Sequence, residues 1–195
     1  MPKRVDILNE QIVFEKYIFQ IQEAELQHEQ YDGEMSPSIK RLNFVRGDSV
    51  AAIVHNPADD TILLTEQFRY PTHTKGTSWL QELPAGTIDA GEEPHIALTR
   101  EIIEETGYQL QAMRHIHTFF VSPGGTSERI FLYYTQIDPS AGVQAGGGIG
   151  DEDIKTLTLT VDAALAGLAR GDFTDAKTII ALQWLAAHRD QLMMD

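Results

Sequence analysis

Residues 86–108 read GTIDAGEEPHIALTREIIEETGY, and the fold is decided there. Pro94 suits the first turn of a helix and Gly107 the left-handed position just past its end, so the spacing predicts a helix over 94–106. That helix runs against its own electrostatics. Glu101, Glu104 and Glu105 crowd its C-terminal half, with no Lys or Arg in the last turn. Carboxylates at the negative end of a helix cost roughly 0.3–1 kcal/mol each. Glu101 also repels Glu104 and Glu105, because i,i+3 and i,i+4 spacings share a face. Arg100, four residues before Glu104, offsets part of this. For an arbitrary helix, a solvated acidic face is the better reading. The alternative is a hard divalent cation held by Glu101 and Glu105, one turn apart.

Outward from the helix, the N-terminal flank is rich in strand signals. Residues 11–28 alternate as extended chain, Asp32-Gly33 marks a turn, and further strands are expected at 39–46, 49–55, from Thr61 to Arg69, and from Ser78 to Leu83. Beyond the helix, strands near 112–121 and 128–137 flank SPGGTS, and a glycine-rich loop (141–153) precedes a strand at 154–160. Helices near 161–170 and 175–190 follow, the second with Ile179, Ile180, Leu182, Trp184 and Leu185 as its apolar face. Strands around a central helix with helices at the end predict a layered α+β fold.

Gly86, Glu92, Arg100-Glu101-Ile102, Glu104-Glu105 and Gly107-Tyr108 match the nine fixed positions of the Nudix box across its 23 residues. The chain thus resembles the Nudix hydrolases. The resemblance implies an α/β/α sandwich with a mixed central sheet and an N-terminal strand extension. Residues 1–46 would be that extension and a dimerisation element, and 47–195 the hydrolase domain. Ser122-Pro123-Gly124-Gly125, fifteen residues beyond Tyr108, resembles the ADP-ribose pyrophosphatase branch. Thr126–Arg129, Asp151–Ile154 and Ile180–Leu185 resemble it too. Asp175-Ala176-Lys177-Thr178 resembles the GDP-mannose-cleaving relatives equally, and Leu42 stands where close relatives often have a carboxylate.

By that resemblance the carbonyl of Ala85 with Glu101, Glu105 and Glu152 would ligate Mg2+ (or Mn2+). Glu104 would ligate as well or accept from metal-bound water. Arg100 would orient the carboxylates. Glu92 is read first as stabilising the helix N-terminus and second as catalytic. Glu152, on the glycine-rich loop, would complete the site when substrate arrives. That loop lacks the Gly-Lys-Ser/Thr of a phosphate loop, and a surface loop without a role is the second reading. Arg69 resembles a phosphate contact, and Arg41 a nucleotide contact reaching across a dimer. Glu82 and Glu128 match polar positions near the ribose or metals. Phe19 or Tyr17 is a candidate to stack on the base, although a strand aromatic is usually core. His115 and His117 have no third ligand placed by sequence, so packing or surface roles are expected.

Composition bounds the rest. The net charge of -14 argues against a nucleic-acid-binding face, and zero cysteines exclude disulfides and thiolate metal sites. With no membrane-length apolar run and no export signal, a cytoplasmic protein is expected. The expected activity is hydrolysis of a nucleoside diphosphate sugar, ADP-ribose to AMP and ribose 5-phosphate first, GDP-mannose or another nucleotide sugar as the alternative. A non-catalytic nucleotide sensor is the reading from another class. Such domains usually lose box carboxylates, and none is missing here.

Overall fold

The N-terminal extended segment is a hairpin. Strands β1 (Val5–Lys16) and β2 (Phe19–His28) pair antiparallel around Tyr17, whose φ of 56° makes the tight turn. Strand β3 (Ile39–Val45) pairs β2 on its other side and completes a three-stranded sheet. The structure, a computed structural model, describes residues 3–138, 141–143, 145–150 and 152–192, so Asp151 lies outside the described residues. It divides into two units, one holding the chain up to Asp48 with Phe120–Arg129, the other Ser49–Phe119 with the chain from Ile130 on.

The second unit is built on a mixed sheet. Its strands are β4 (Ser49–Asn56), β5 (Thr61–Phe68), β6 (Trp79–Glu82), β7 (Ala85–Thr87), β8 (Leu110–Phe120), β9 (Arg129–Ile137) and β10 (Ile154–Thr160). The order is β10-β5-β4-β9-β8, with β6 beside β5 and β7 beside β4; β4 and β9 run parallel, while β5 is antiparallel to β4, β6 and β10. A short α1 (Tyr70–His73) and the helices α2 (Pro94–Thr106), α3 (Val161–Arg170) and α4 (Ala176–Leu192) complete it. No helix among the described residues is long and apolar enough to cross a membrane.

Strand β4 explains the layering. Val50 to Val54 are all fully buried, because a central strand covered on both faces reads as continuous apolar sequence. Val50, Ala52 and Val54 pack with Ala97, Leu98 and Ile102 of α2. Ala51 and Ile53 pack on the other side with Val161 and Ala164 of α3 and Ala181, Leu182 and Leu185 of α4. Helix, sheet and helix layers are the expected α/β/α sandwich. Each fully buried Ile or Leu contributes roughly 1.5–3 kcal/mol of apolar transfer.

The predicted ends of α2 are present, and α3 is capped as well. Pro94 opens α2, and Gly107 closes it at φ 75° with its N–H on the Ile103 carbonyl. Thr160 Oγ1 accepts from the Ala163 N–H at 3.1 Å to start α3, and Gly171 ends it at φ 80°. Two short elements escaped the sequence reading, α1 and β7. Four and three residues are too few to show a period, and β7 owes its pairing to Ser49–Ala51 of β4.

Candidate active site

The β7 strand and α2 bring the box carboxylates to one place. Glu105 is 5% exposed, and its Oε2 accepts the Ala85 N–H at 3.1 Å. Burial pushes its carboxyl up to about 8; the nearby charges of Glu101 and Glu152 add to this, against the Ala85 N–H and Arg69. Glu101 is also raised, by burial first and by Glu104 and Glu152, in spite of Arg100. Its carboxylate occupies the space over Gly86, where a Cβ would sit 1.8 Å from the carboxyl carbon. The box begins with glycine because no side chain fits beneath Glu101.

Arg100 is the hub of the acidic helix. Its Nη1 donates to Glu101 at 2.8 Å and more weakly to Glu104 at 3.4 Å. Its Nε and Nη2 grip Glu92 at 3.2 and 2.9 Å, and Nη2 also reaches the Thr87 carbonyl. Bridging three carboxylates raises the affinity of Arg100 for its proton. The expected role of Glu92 at the helix N-terminus is therefore corrected. Glu93 occupies the cap position without a side-chain bond, while Glu92 spends its oxygens on Arg100 and the Asp89 N–H. Arg100 holds Glu92 well below the usual carboxylate range.

The glycine-rich loop docks on the end of α2. The Gly147 N–H donates to the Glu105 carbonyl at 2.8 Å and the Gly148 N–H to that of Glu104 at 3.1 Å. Thr156 Oγ1 also donates to the Glu105 carbonyl, at 3.3 Å. These donors satisfy the exposed carbonyls of a helix whose last turn has no basic residue. At Gly146 a Cβ would come within 2.7 Å of the Glu105 carbonyl oxygen, so close approach of two backbones fixes glycine there. Glu152 folds back onto its own loop, its Oε2 accepting the Ile149 N–H at 3.2 Å, with its charge felt by Glu101 and Glu105.

Arg69 and Glu82, read separately as substrate contacts, form one ion pair. Arg69 Nε and Nη2 donate to the two oxygens of Glu82 at 2.8 and 3.3 Å. Lys177 Nζ donates to the same carboxylate and lies 3.0 Å from Asp175. Burial raises Glu82, but Arg69 and Lys177 outweigh it and hold the carboxyl below its ordinary value. Lys177 and Thr178 were not read from the sequence as part of this cluster. They stand four residues before Ala181 and Leu182, on the buried side of α4, and that spacing was the available signal.

The remaining candidates belong to the first unit. Arg41 is exposed and donates to the Lys40 carbonyl at 2.9 Å. Glu128 is 6% exposed, 3.5 Å from Arg46. Phe19 stacks on Phe44, ring centroids 5.4 Å apart, while Tyr17 is 86% exposed at the turn. In the second unit, His115 is exposed, bonds Thr118 and lies edge-on to Tyr133, a surface role.

The donor set suits a hard cation: carboxylates on one helix face, raised by burial and mutual repulsion, which a positive ion would relieve. As they stand, no three His, Asp or Glu side chains among the described residues converge closely enough to hold an ion.

Comparison with known proteins agrees with this geometry. The sequence model of the NUDIX domain matches residues 45–182. GDP-mannose pyrophosphatase of Cronobacter sakazakii is 33% identical over 187 residues, 95% of this chain and 96% of that protein. The GDP-mannose pyrophosphatase of Citrobacter koseri is 36% identical over 148 residues, 75% of this chain and 77% of that one. Among solved structures, the crystal structure of an ADP compounds hydrolase matches with TM-score 0.71 at 21% identity, covering 95% of this chain and 96% of that one, a likeness of fold. A domain match over most of the chain, a relative at 33% identity across 95% of it and an intact box place the chain in the Nudix hydrolase family.

Proposed function

We propose that the protein hydrolyses the diphosphate of a nucleoside diphosphate sugar in the cytoplasm, using Mg2+ or Mn2+. Water attacks one phosphorus, the P–O–P bond breaks, and a nucleoside monophosphate and a sugar phosphate leave. The observation that carries this reading is the paired placement of Glu105 on the Ala85 N–H and Glu101 over Gly86, within a complete Nudix box.

Glu101 and Glu105, with the Ala85 carbonyl and Glu152, would hold the cation, and Glu104 would take part through Arg100. A bound divalent ion would neutralise the diphosphate and acidify the attacking water. The protein's own part is to hold that constellation. Arg100 fixes the rotamers of Glu101 and Glu104, and the Gly146–Gly148 docking fixes the end of the helix that carries them. Glu152 accepts the proton of the attacking water after leaving the Ile149 N–H, or a box glutamate does so in its place. Arg69 stabilises charge on the phosphoryl oxygens.

Two substrates are favoured by different observations. The relatives at 33–36% identity are GDP-mannose pyrophosphatases, and the Asp175–Thr178 segment resembles theirs, which favours GDP-mannose. The spacing of Pro123 after the box favours ADP-ribose. The N-terminal sheet leaves Val5, Ile7, Leu8, Ile12, Val13 and Phe14 each about half exposed. An apolar surface of this kind marks an association site, and a second copy of the chain would cover it. Arg41, with Phe19 or Tyr17, would then serve the nucleotide end, and Glu128 the sugar end or the metals.

The deciding experiment measures Mg2+-dependent release of nucleoside monophosphate from GDP-mannose, ADP-ribose, UDP-glucose, NADH and a diadenosine polyphosphate. Turnover of GDP-mannose or ADP-ribose above the others is expected. Binding without turnover at any metal concentration would make the protein a nucleotide sensor instead.

A further inference from the structure

Glu82 is 4% exposed and is shared by two cations from different parts of the chain. Arg69 follows β5 and takes both carboxylate oxygens. Lys177, in the first turn of α4 and 8% exposed, takes one of them as well. The lysine is itself steered. Asp175 lies 3.0 Å from Nζ, accepts the Thr178 N–H at 3.0 Å, and accepts from Thr178 Oγ1 at 2.6 Å. Thr178 Oγ1 in turn accepts the Leu83 N–H at 2.9 Å, next to Glu82 and two residues before Ala85. The start of α4 thus clamps the β6–β7 corner by backbone and by charge. The Arg69 side chain remains 39% exposed, so it can meet a ligand while its far edge is held.

We propose that Lys177 is a positioning residue for Arg69, acting through Glu82 to keep the arginine available to an anionic diphosphate. The charge balance gives the reason. Arg69 and Lys177 together match Glu82 and Asp175. Without Lys177 the cluster carries one excess negative charge, and Glu82 is left to Arg69 alone. A phosphate then meets a neutralised arginine beside an unbalanced carboxylate, in a protein already at net charge -14. The inference rests on the proposed role of Arg69, and it locates a determinant of anion binding on a helix outside the Nudix box.

The test is a double-mutant cycle on the full chain. KM and kcat for GDP-mannose and ADP-ribose are measured for wild type, Lys177→Met, Glu82→Gln and the pair, with melting temperatures alongside. Lys177→Met should raise KM on the order of tenfold and change kcat by less than about threefold. Lys177→Arg should recover part of the loss. In the Glu82→Gln background the lysine replacement should add less than about twofold, since the two act as one unit. An equal KM increase in both backgrounds would show that Lys177 meets the substrate directly and would overturn the proposal. A lowered melting temperature with unchanged KM would reduce Lys177 to a structural part, with the same result. Should Lys177→Met fail to fold, Lys177→Gln keeps a donor in place and serves the same cycle.

A readout independent of turnover is the Arg69 Nε–H resonance, assigned by its loss in Arg69→Lys. Lys177→Met should shift it and Lys177→Arg restore it, and an unmoved resonance overturns the proposal. If the wild type hydrolyses none of the panel, the proposed function fails, while this resonance still decides whether Lys177 sets Arg69.

Discussion

The two sheets of this protein place apolar side chains in opposite ways. In β4 of the larger sheet, five consecutive residues from Val50 are fully buried. In β1 of the N-terminal sheet, every one of the twelve residues except Asp6 is exposed, although Val5, Ile7, Leu8, Ile12, Val13 and Phe14 lie along it. Both strands are apolar enough to read as extended chain, yet only one is core. Strand-forming composition reports that a residue suits a pleated surface, not that something covers it. Folding energy and candidate chemistry are concentrated in the larger sheet and its helices. The N-terminal sheet contributes an exposed apolar surface.

Substitutions sharpen this contrast, beginning with the largest effect. Glu105→Gln should lower kcat by about 10³-fold or more, some 4 kcal/mol of barrier, with the melting temperature retained. Turnover within about tenfold of wild type would remove Glu105 from the metal set. Ile53→Ala empties a fully buried site and should cost about 2–5 kcal/mol in denaturant unfolding. Gly146→Ala forces a methyl onto the backbone at the end of α2 and should cost about 1–3 kcal/mol. A neutral result there would mean that the loop stands off the helix.

Acid should also act on the larger sheet. Burial raises the Asp60 carboxyl, but Arg189 and His55 outweigh this and hold it below its ordinary value. A depressed carboxylate contributes stability that is present above its unfolded value, near 3.9, and is lost as pH falls through the folded one. Asp60→Asn should therefore flatten the fall in melting temperature below about pH 5. A profile parallel to wild type would assign the acid loss elsewhere. At the small end, Val13→Thr should change unfolding free energy by less than about 0.5 kcal/mol. If it weakens self-association in sedimentation at the same time, a second copy covers the N-terminal sheet. A stable wild-type monomer with full activity would remove Arg41 from a shared site.

The legible parts of the site were those packed close in sequence. Gly86, Arg100, Glu101 and Glu105 could be named because the box compresses strand, loop and helix into 23 residues, and the structure gathers these residues around Ala85 and α2. Glu92 shows where that reading fails. Helix-end electrostatics assigned it to the N-terminus, whereas a guanidinium eight residues later outcompetes a weak dipole. Lys177 was hidden for another reason. Its partner Glu82 lies 95 residues away, and local spacing marks a buried polar position without revealing what neutralises it.

By itself the sequence determined the ends of α2, the order of the longer strands and helices, and the acidic row on α2. Each depends on local backbone preference or on side chains one turn apart. Tertiary structure alone decided which apolar strand became core. It also decided that Arg69 and Glu82 would pair, that Lys177 would join them, and that glycine amides would cap the acidic helix. Those outcomes are set by desolvation and by donors brought from distant segments, and neither exists until the layers have packed.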